Sequence, residues 1–182
     1  MWGLFCGLLA AIMFAGIAAC AGCSGGGNDN TVQEPVGTGF ECDVDLTYKD
    51  MDIQGHLTRL SAGTLTLDIT SPKSLEGMTM QWDGETISIK MYGLSFGIDP
   101  ADIPETALGK SLLDALDGIQ SLKGNGQNPG STLTDEGVLT KGNAVDGSFE
   151  ILSDPETGSL LSLKIPSAGL TATFSNFQLK TT

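Results

Sequence analysis

The segment Phe40–Lys49 alternates apolar and polar side chains without interruption. Every second residue from Phe40 to Tyr48 is apolar, and the residues between them, from Glu41 to Lys49, are charged or carry a hydroxyl group. A period of two is typical of a β-strand that buries one face and exposes the other. The chain is therefore predicted to build an antiparallel sheet with one apolar face.

The same alternation predicts more strands along the chain. They are expected at Met51–Leu57, Thr64–Thr70, Met78–Trp82, Ile87–Met91 and Leu94–Ile98. Asp83-Gly84 predicts a two-residue hairpin turn, because that dipeptide tolerates the positive φ angles of a type I′ turn. The apolar positions change parity after Met91, which predicts a β-bulge at Gly93 that curves the sheet.

A different period follows in the middle of the chain. Leu108, Leu112, Ala115, Leu116 and Ile119 are spaced by three and four residues, which predicts an amphipathic helix. The expected bounds are 104–122, with Pro104 in the first turn and Ser111 off the apolar stripe. Gly109 and Gly118 each weaken such a helix by roughly 1 kcal/mol relative to Ala.

Strands return after the helix. They are expected at Thr132–Thr140, Val145–Leu152 and Leu160–Ile165, with Leu170–Phe174 and Phe177–Leu179 as a final strand or pair. The fold class is therefore mainly β (α+β), with about 8 to 10 antiparallel strands and one central helix.

The start of the chain has no charged residue before position 29. Its apolar run ends in small residues and two cysteines, and Ile17-Ala18-Ala19-Cys20 resembles a bacterial lipobox. Residues 1–23 are therefore predicted to be a lipoprotein signal peptide that ends in an acylated cysteine, either Cys20 or Cys23. An uncleaved membrane anchor is the alternative. Both interpretations place residues 39–182 outside the cytoplasm, anchored to a bacterial membrane by a flexible tether, residues 24–38.

The charge and residue inventory excludes several function classes. A formal net charge of −13 disfavours nucleic-acid binding. His56 is the single histidine of the sequence, so a multi-histidine metal site is excluded. Cys42 lies on an apolar strand face and is interpreted as a small buried side chain. Neither an enzyme nor a cofactor nor a metal is predicted.

Arg59 is the single arginine of the sequence. Continuing the alternation of its strand places it on the apolar face, where a guanidinium group needs a partner, for example on the central helix. A strand end that turns it to solvent is the alternative, and both remain open.

The region Leu57–Leu116 resembles the lipoprotein-carrier (LolA-like) superfamily. The resemblance rests on Arg59, the strand Thr64–Thr70, Ser71-Pro72, an apolar strand, Asp83-Gly84, another strand and then a helix. The closing Thr173-Phe174-Ser175-Asn176-Phe177 is similar to the last strands of the family. The resemblance implies a curved, unclosed half-barrel around an apolar cavity, with a helical lid and an acyl-chain ligand.

The resulting hypothesis is a membrane-anchored lipoprotein that binds an apolar or lipid-like ligand and is a monomer. The expected cavity residues are Cys42, Leu46, Met51, Leu67, Met78, Met80, Trp82, Met91, Leu112 and Leu116. A closed core made of the same residues is an equal alternative. A second hypothesis is a ligand-free interaction or sensor module that recruits a protein partner.

Overall fold

The structure is a computed structural model that describes residues 39–104, 107–124, 130–144 and 147–180. The predictions for the signal peptide, the tether, Cys20 and Cys23 lie outside the described residues. Within the described part of the chain, no helix combines the length and the hydropathy needed to span a bilayer.

The described residues form eleven β-strands and one long helix. The strands are β1 (Gly39–Tyr48), β2 (Met51–Arg59), β3 (Thr64–Ser71), β4 (Thr79–Asp83), β5 (Ile87–Met91), β6 (Leu94–Ile98), β7 (Gly130–Thr134), β8 (Gly137–Ala144), β9 (Gly147–Ser153), β10 (Leu160–Ile165) and β11 (Leu170–Lys180), and the helix is α1 (Leu108–Gly124).

All eleven strands belong to one sheet in the order β6-β5-β4-β3-β2-β1-β11-β10-β9-β8-β7. The first and last strands pair in the middle, and β6 and β7 are its two edges. Every pairing is antiparallel. The chain passes from one edge to the other through α1, so the sheet stays open and the helix covers its inner face. The predicted curved half-barrel with a lid helix is confirmed. The predicted strand Thr132–Thr140 is divided into β7 and β8 by a two-residue turn between Thr134 and Gly137.

The helix spans the inner face of the sheet between its two halves, which we call arms. One arm contains β3 and β4, and the other contains β8 and β9. Near its start, Gly109 lies against the indole ring of Trp82 on β4; near its end, Gly118 lies against the ring of Phe149 on β9. Both glycines therefore make room for an aromatic ring. Because α1 is packed between two arms, Ser111 is also buried, although the apolar stripe predicted it to lie outside the contact.

Two predicted turns differ from the structure. No bulge occurs at Gly93. Tyr92 and Gly93 form a two-residue hairpin turn between Met91 and Leu94, with φ angles of 52° and 79°. A two-residue turn reverses the chain, and this explains the change of parity. The Asp83-Gly84 hairpin exists, but four residues connect the paired Trp82 and Ile87. The Asp83 carboxylate accepts hydrogen bonds from the backbone of Glu85 and Thr86, which favours the longer loop.

A bulge does occur in β11, opposite Cys42. The register with β1 shifts there, and Asn176 has a φ of 52°. One extra residue in a strand turns the following side chain to the other face. Phe177 consequently stacks on Phe40 at a ring distance of 4.9 Å. The final strand is therefore a single element.

The core lies between the inner face of the sheet and α1. Its apolar members from the helix are Leu108, Leu112, Ala115, Leu116 and Ile119. They meet buried side chains of both arms, among them Leu65 and Leu67 on one side and Phe149, Ile151 and Leu163 on the other. The alternating residues of each strand supply this layer, as the sequence period requires.

Candidate functional site

The inner face of β4, β5 and β6 carries a row of paired apolar side chains. Leu67 of β3 pairs with Met80, Met80 pairs with Ile89, and Ile89 pairs with Phe96 of β6. Directly paired residues lie on the same face of a sheet. The row therefore runs on the helix side, from the core to the edge.

The row becomes more exposed toward the edge. Leu67 is fully buried, Met80 and Ile89 are half-buried, and Phe96 is 55% exposed. Leu94, which pairs with Met91, is 60% exposed. The helix covers the Trp82 end of this arm, where Gly109 lies, and leaves the opposite end accessible. We call this set the inner strip; it consists of Met78, Met80, Ile89, Met91, Leu94 and Phe96.

The inner strip is suited to an apolar ligand of variable shape. Three of its six members are methionines, whose unbranched side chains repack around different apolar surfaces. None of its residues is charged, although the chain as a whole carries a net charge of −13. Met78 and Met80 also pack against the core.

Trp82 lies at the end of the inner strip that the helix covers. Its side chain is 4% exposed, and its indole Nε1 has no hydrogen-bond partner among the described residues. A small depression of about 150 Å³ lies beside it, lined also by Gly63, Ile87, Pro100, Lys110 and Leu113. A change next to the indole ring is therefore expected to alter the fluorescence of Trp82.

Arg59 connects the sheet to the helix. Its side chain is fully buried at the end of β2, and its Nη2 donates to Oδ1 of Asp117 at 2.5 Å. The same carboxylate accepts from the backbone N–H of Gly63 at 3.1 Å. A charge-assisted hydrogen bond of this kind fixes the helix relative to the β2–β3 turn. Of the two interpretations of Arg59, the described geometry is the inward one.

Six of the ten expected cavity residues lie in a closed core. They are at most 4% exposed and belong to one packed cluster: Cys42, Leu46, Leu67, Trp82, Leu112 and Leu116. Burial raises the pKa of the Cys42 thiol to about 12, with a smaller contribution from the neighbouring Asp43 carboxylate. The thiol is thus protonated at neutral pH, a state that is a poor nucleophile.

Met51 shares the parity of the inner apolar face but lies outside the closed core. It is 46% exposed, at the turn end of the β1–β2 hairpin, where it pairs with Tyr48. The hairpin extends past the core there, so the alternation continues beyond the residues that α1 covers.

Four residues of this region are not predicted from the sequence. Ile89, Leu94 and Phe96 belong to the inner strip, and Asp117 is a partner of Arg59. Interpreting Tyr92-Gly93 as a two-residue turn would have placed Phe96 opposite Ile89. For Asp117 the sequence offers no signal, since an acid on a helix is ordinarily a solvated one.

The outer face of the sheet is polar. A depression of about 490 Å³ crosses β2, β1 and β11, and its carboxylates Asp45 and Asp52 accept hydrogen bonds from Gln54 and Thr47. Nearby, Asp43 contacts His56 Nδ1 at 3.0 Å and accepts from Asn176 at 2.7 Å. The hydrogen bonds from Asn176 and His56 lower the pKa of Asp43. Among the described residues, no group of three or more acidic, histidine or cysteine side chains is arranged to hold a metal ion.

Comparisons with known proteins give structural matches alone. No protein-family model matches the chain. No curated protein matches it either. Among solved structures, an uncharacterized conserved protein from Thermus thermophilus matches with 13% identity and a TM-score of 0.50, over 83% of this chain and 84% of that chain. That match shows a shared fold.

More distant matches include two further bacterial proteins. The LolA superfamily protein NE2245 from Nitrosomonas europaea is 9% identical with a TM-score of 0.38, over 84% of this chain and 90% of that chain. LprF from Mycobacterium bovis is 12% identical with a TM-score of 0.37, over 81% of this chain and 89% of that chain.

Proposed function

We propose that this domain binds an acyl chain or a similar elongated apolar ligand along the inner strip, outside the cytoplasm and tethered to a membrane. The observation that carries the proposal is an uncharged, partly uncovered apolar surface on the inner face of the half-barrel, beside the lid helix. Contiguous exposed apolar surface of this kind is uncommon in a monomeric soluble domain unless it serves binding.

The dimensions of the strip fit a chain-like ligand. From Met78 to Trp82 is four residue steps, or about 14 Å at the rise of an antiparallel strand. Each methylene group that leaves water contributes about 0.8 kcal/mol, so even a partly buried acyl chain offsets the cost of association. The role is one of binding rather than catalysis, because the described inner face offers apolar side chains to a ligand.

Trp82 allows this proposal to be tested directly. Once a signal peptide containing Trp2 is removed, Trp82 is the remaining tryptophan. In a chain that begins at Gly39 its emission is expected to be blue-shifted and to change when palmitate or a lipopeptide is added. Phe96→Asp, which places a carboxylate on the strip, is expected to weaken the response at least about tenfold, which is 1.4 kcal/mol.

Ser95→Asp is the matched control, because Ser95 is the exposed neighbour that points to the outer face. It is expected to leave the response unchanged. If Trp82 is blue-shifted and indifferent to every acyl ligand, the strip is not a ligand site. The alternative function, recruitment of a protein partner by the domain surface, would then be favoured.

The anchoring part of the proposal rests on the sequence around Cys20 and Cys23. In cells supplied with labelled palmitate, the wild-type chain is expected to acquire label, and the double variant Cys20→Ala, Cys23→Ala is expected to acquire none. The two single variants identify the acylated residue. Label on the double variant, or none on the wild type, would exclude lipidation at this site.

A further inference from the structure

Strand β6 is an edge of the sheet that lacks the features by which edges avoid pairing. Its sequence, Leu94-Ser95-Phe96-Gly97-Ile98, has no charge and no proline, and four of its five residues are exposed. Natural edge strands are usually protected by lysine, proline, a bulge or a cover. We propose that two copies of this chain associate through an antiparallel β6–β6 pairing.

The β5–β6 hairpin determines which backbone groups face the open edge. Because the Tyr92-Gly93 turn has two residues, Met91 and Leu94 form a hydrogen-bonded pair. Antiparallel ladders alternate hydrogen-bonded and non-hydrogen-bonded pairs. The N–H and C=O groups of Leu94, Phe96 and Ile98 are therefore directed at β5, and those of Ser95 and Gly97 are directed away from it.

These outward groups are self-complementary about a two-fold axis at Phe96. In that register Ser95 pairs with Gly97 of the second copy and Gly97 pairs with its Ser95. Each pair exchanges two N–H···O bonds, so the outward N–H and C=O groups of both residues are satisfied. Phe96 then lies opposite Phe96 in a non-hydrogen-bonded pair, which brings side chains closest.

The side chains favour a second copy as the occupant. On the inner face, Leu94 meets Ile98 across the axis and the two inner strips become continuous. Two chains that each carry a net charge of −13 repel one another, and an uncharged strand is where they can approach. The nearest acid, Asp99, lies opposite Gly93 of the second copy, so no carboxylates face each other. The other edge, β7, has a single apolar residue, Leu133, and is followed directly by Asp135 and Glu136.

The full chain in detergent micelles tests this pairing by light scattering and by photocrosslinking. The wild type is expected to be a dimer. A benzophenone amino acid at Phe96 is expected to cross-link to β6 of the second copy. The same group at Leu133 is expected to give no cross-link between copies. Ser95→Asp and Gly97→Lys add charge at the edge and are expected to give monomers. A side chain at Gly97 meets nothing within 4 Å, so the fold can accept it.

Thr132→Asp, an exposed change on β7, is the matched control and is expected to remain dimeric. A monomeric wild type, or a dimer that survives both β6 variants, would overturn the proposal. A cross-link from Phe96 to β7 of the second copy would indicate a head-to-tail contact in place of the two-fold one. That result would also overturn the proposal. Ligand binding is a separate outcome, because Ser95→Asp is expected to respond to palmitate whether or not it dimerises.

Discussion

The contact between Arg59 and Asp117 combines a fully buried guanidinium group with a carboxylate that is 31% exposed. Its two members are therefore not equivalent. Asp117→Ala leaves the buried cation with one carboxylate fewer, and we expect a loss of about 1.5–3 kcal/mol in the free energy of unfolding. Arg59→Leu is expected to cost less, because an apolar side chain suits the site and the remaining carboxylate can be hydrated.

Hydrogen exchange across Leu108–Ile119 and urea denaturation would measure both effects. Glu76→Ala, at an exposed acid in a turn, is the control and is expected to be neutral. Unchanged exchange of the helix in both variants would mean that this contact does not hold the lid.

Gly109 shows tertiary packing overriding helix propensity. Replacing glycine with alanine inside a helix ordinarily stabilises by about 1 kcal/mol. Here the added Cβ would lie 1.6 Å from Cη2 of Trp82 and 2.0 Å from its Cζ2, so the indole ring must move. Overpacking of this kind costs about 1–3 kcal/mol, and we expect Gly109→Ala to be destabilised overall, with red-shifted Trp82 emission.

Gly118→Ala provides the comparison. Its Cβ would lie 3.0 Å from Cε1 of Phe149, a tight contact that a small ring shift relieves. We expect this variant to be close to the wild type in its denaturation midpoint, with unchanged emission. Equal changes in the denaturation midpoint at the two positions would show that helix propensity, and not contact with the indole ring, determines the effect of the added methyl group.

Strands and helix differ in how well the sequence predicts them. The alternation of β1 and the three-and-four spacing of α1 are local periods, and each follows directly from the geometry of its element. Turn lengths follow from backbone conformation instead. Tyr92 adopts a positive φ that its residue type does not indicate, so the sequence predicts a bulge at Gly93 in place of the turn. Because of that prediction, Leu94 and Phe96 are not recognised from the sequence as members of the inner strip.

We expect that a substitution in the Tyr92-Gly93 turn can stabilise the domain. Tyrosine pays a steric cost of roughly 1–2 kcal/mol in the left-handed region, which asparagine largely avoids. Tyr92 is 79% exposed, so little packing is lost on its replacement. We expect Tyr92→Asn to raise the urea midpoint and Gly93→Ala, at a φ of 79°, to lower it. A lower midpoint in Tyr92→Asn would show that the ring contributes contacts worth more than the strain.

The order of strands across the whole sheet could not be predicted from the sequence. The pairing of β1 with β11 brings Asp43 and Asn176 into hydrogen-bond contact although they are 133 positions apart, and no local pattern encodes such a contact. The partner of Arg59 was missed for the same reason, since it lies 58 positions along the chain. What the sequence does supply is the apolar face of every strand, and burying all those faces together leaves few arrangements other than a curved sheet around one helix.

That arrangement makes α1 the element that joins the two arms of the sheet. It packs against β3 on one side and β8 on the other, and Leu116 of its apolar stripe is fully buried. Leu116→Ala removes three buried carbon atoms and is expected to cost about 2–5 kcal/mol. Because the helix is shared, we expect amide protection to fall in β3 and in β8–β9 together. Leu133→Ala, at the exposed edge, is expected to affect β7 and β8 alone. A loss confined to one arm after Leu116→Ala would mean that the arms unfold independently, and that the helix belongs to only one of them.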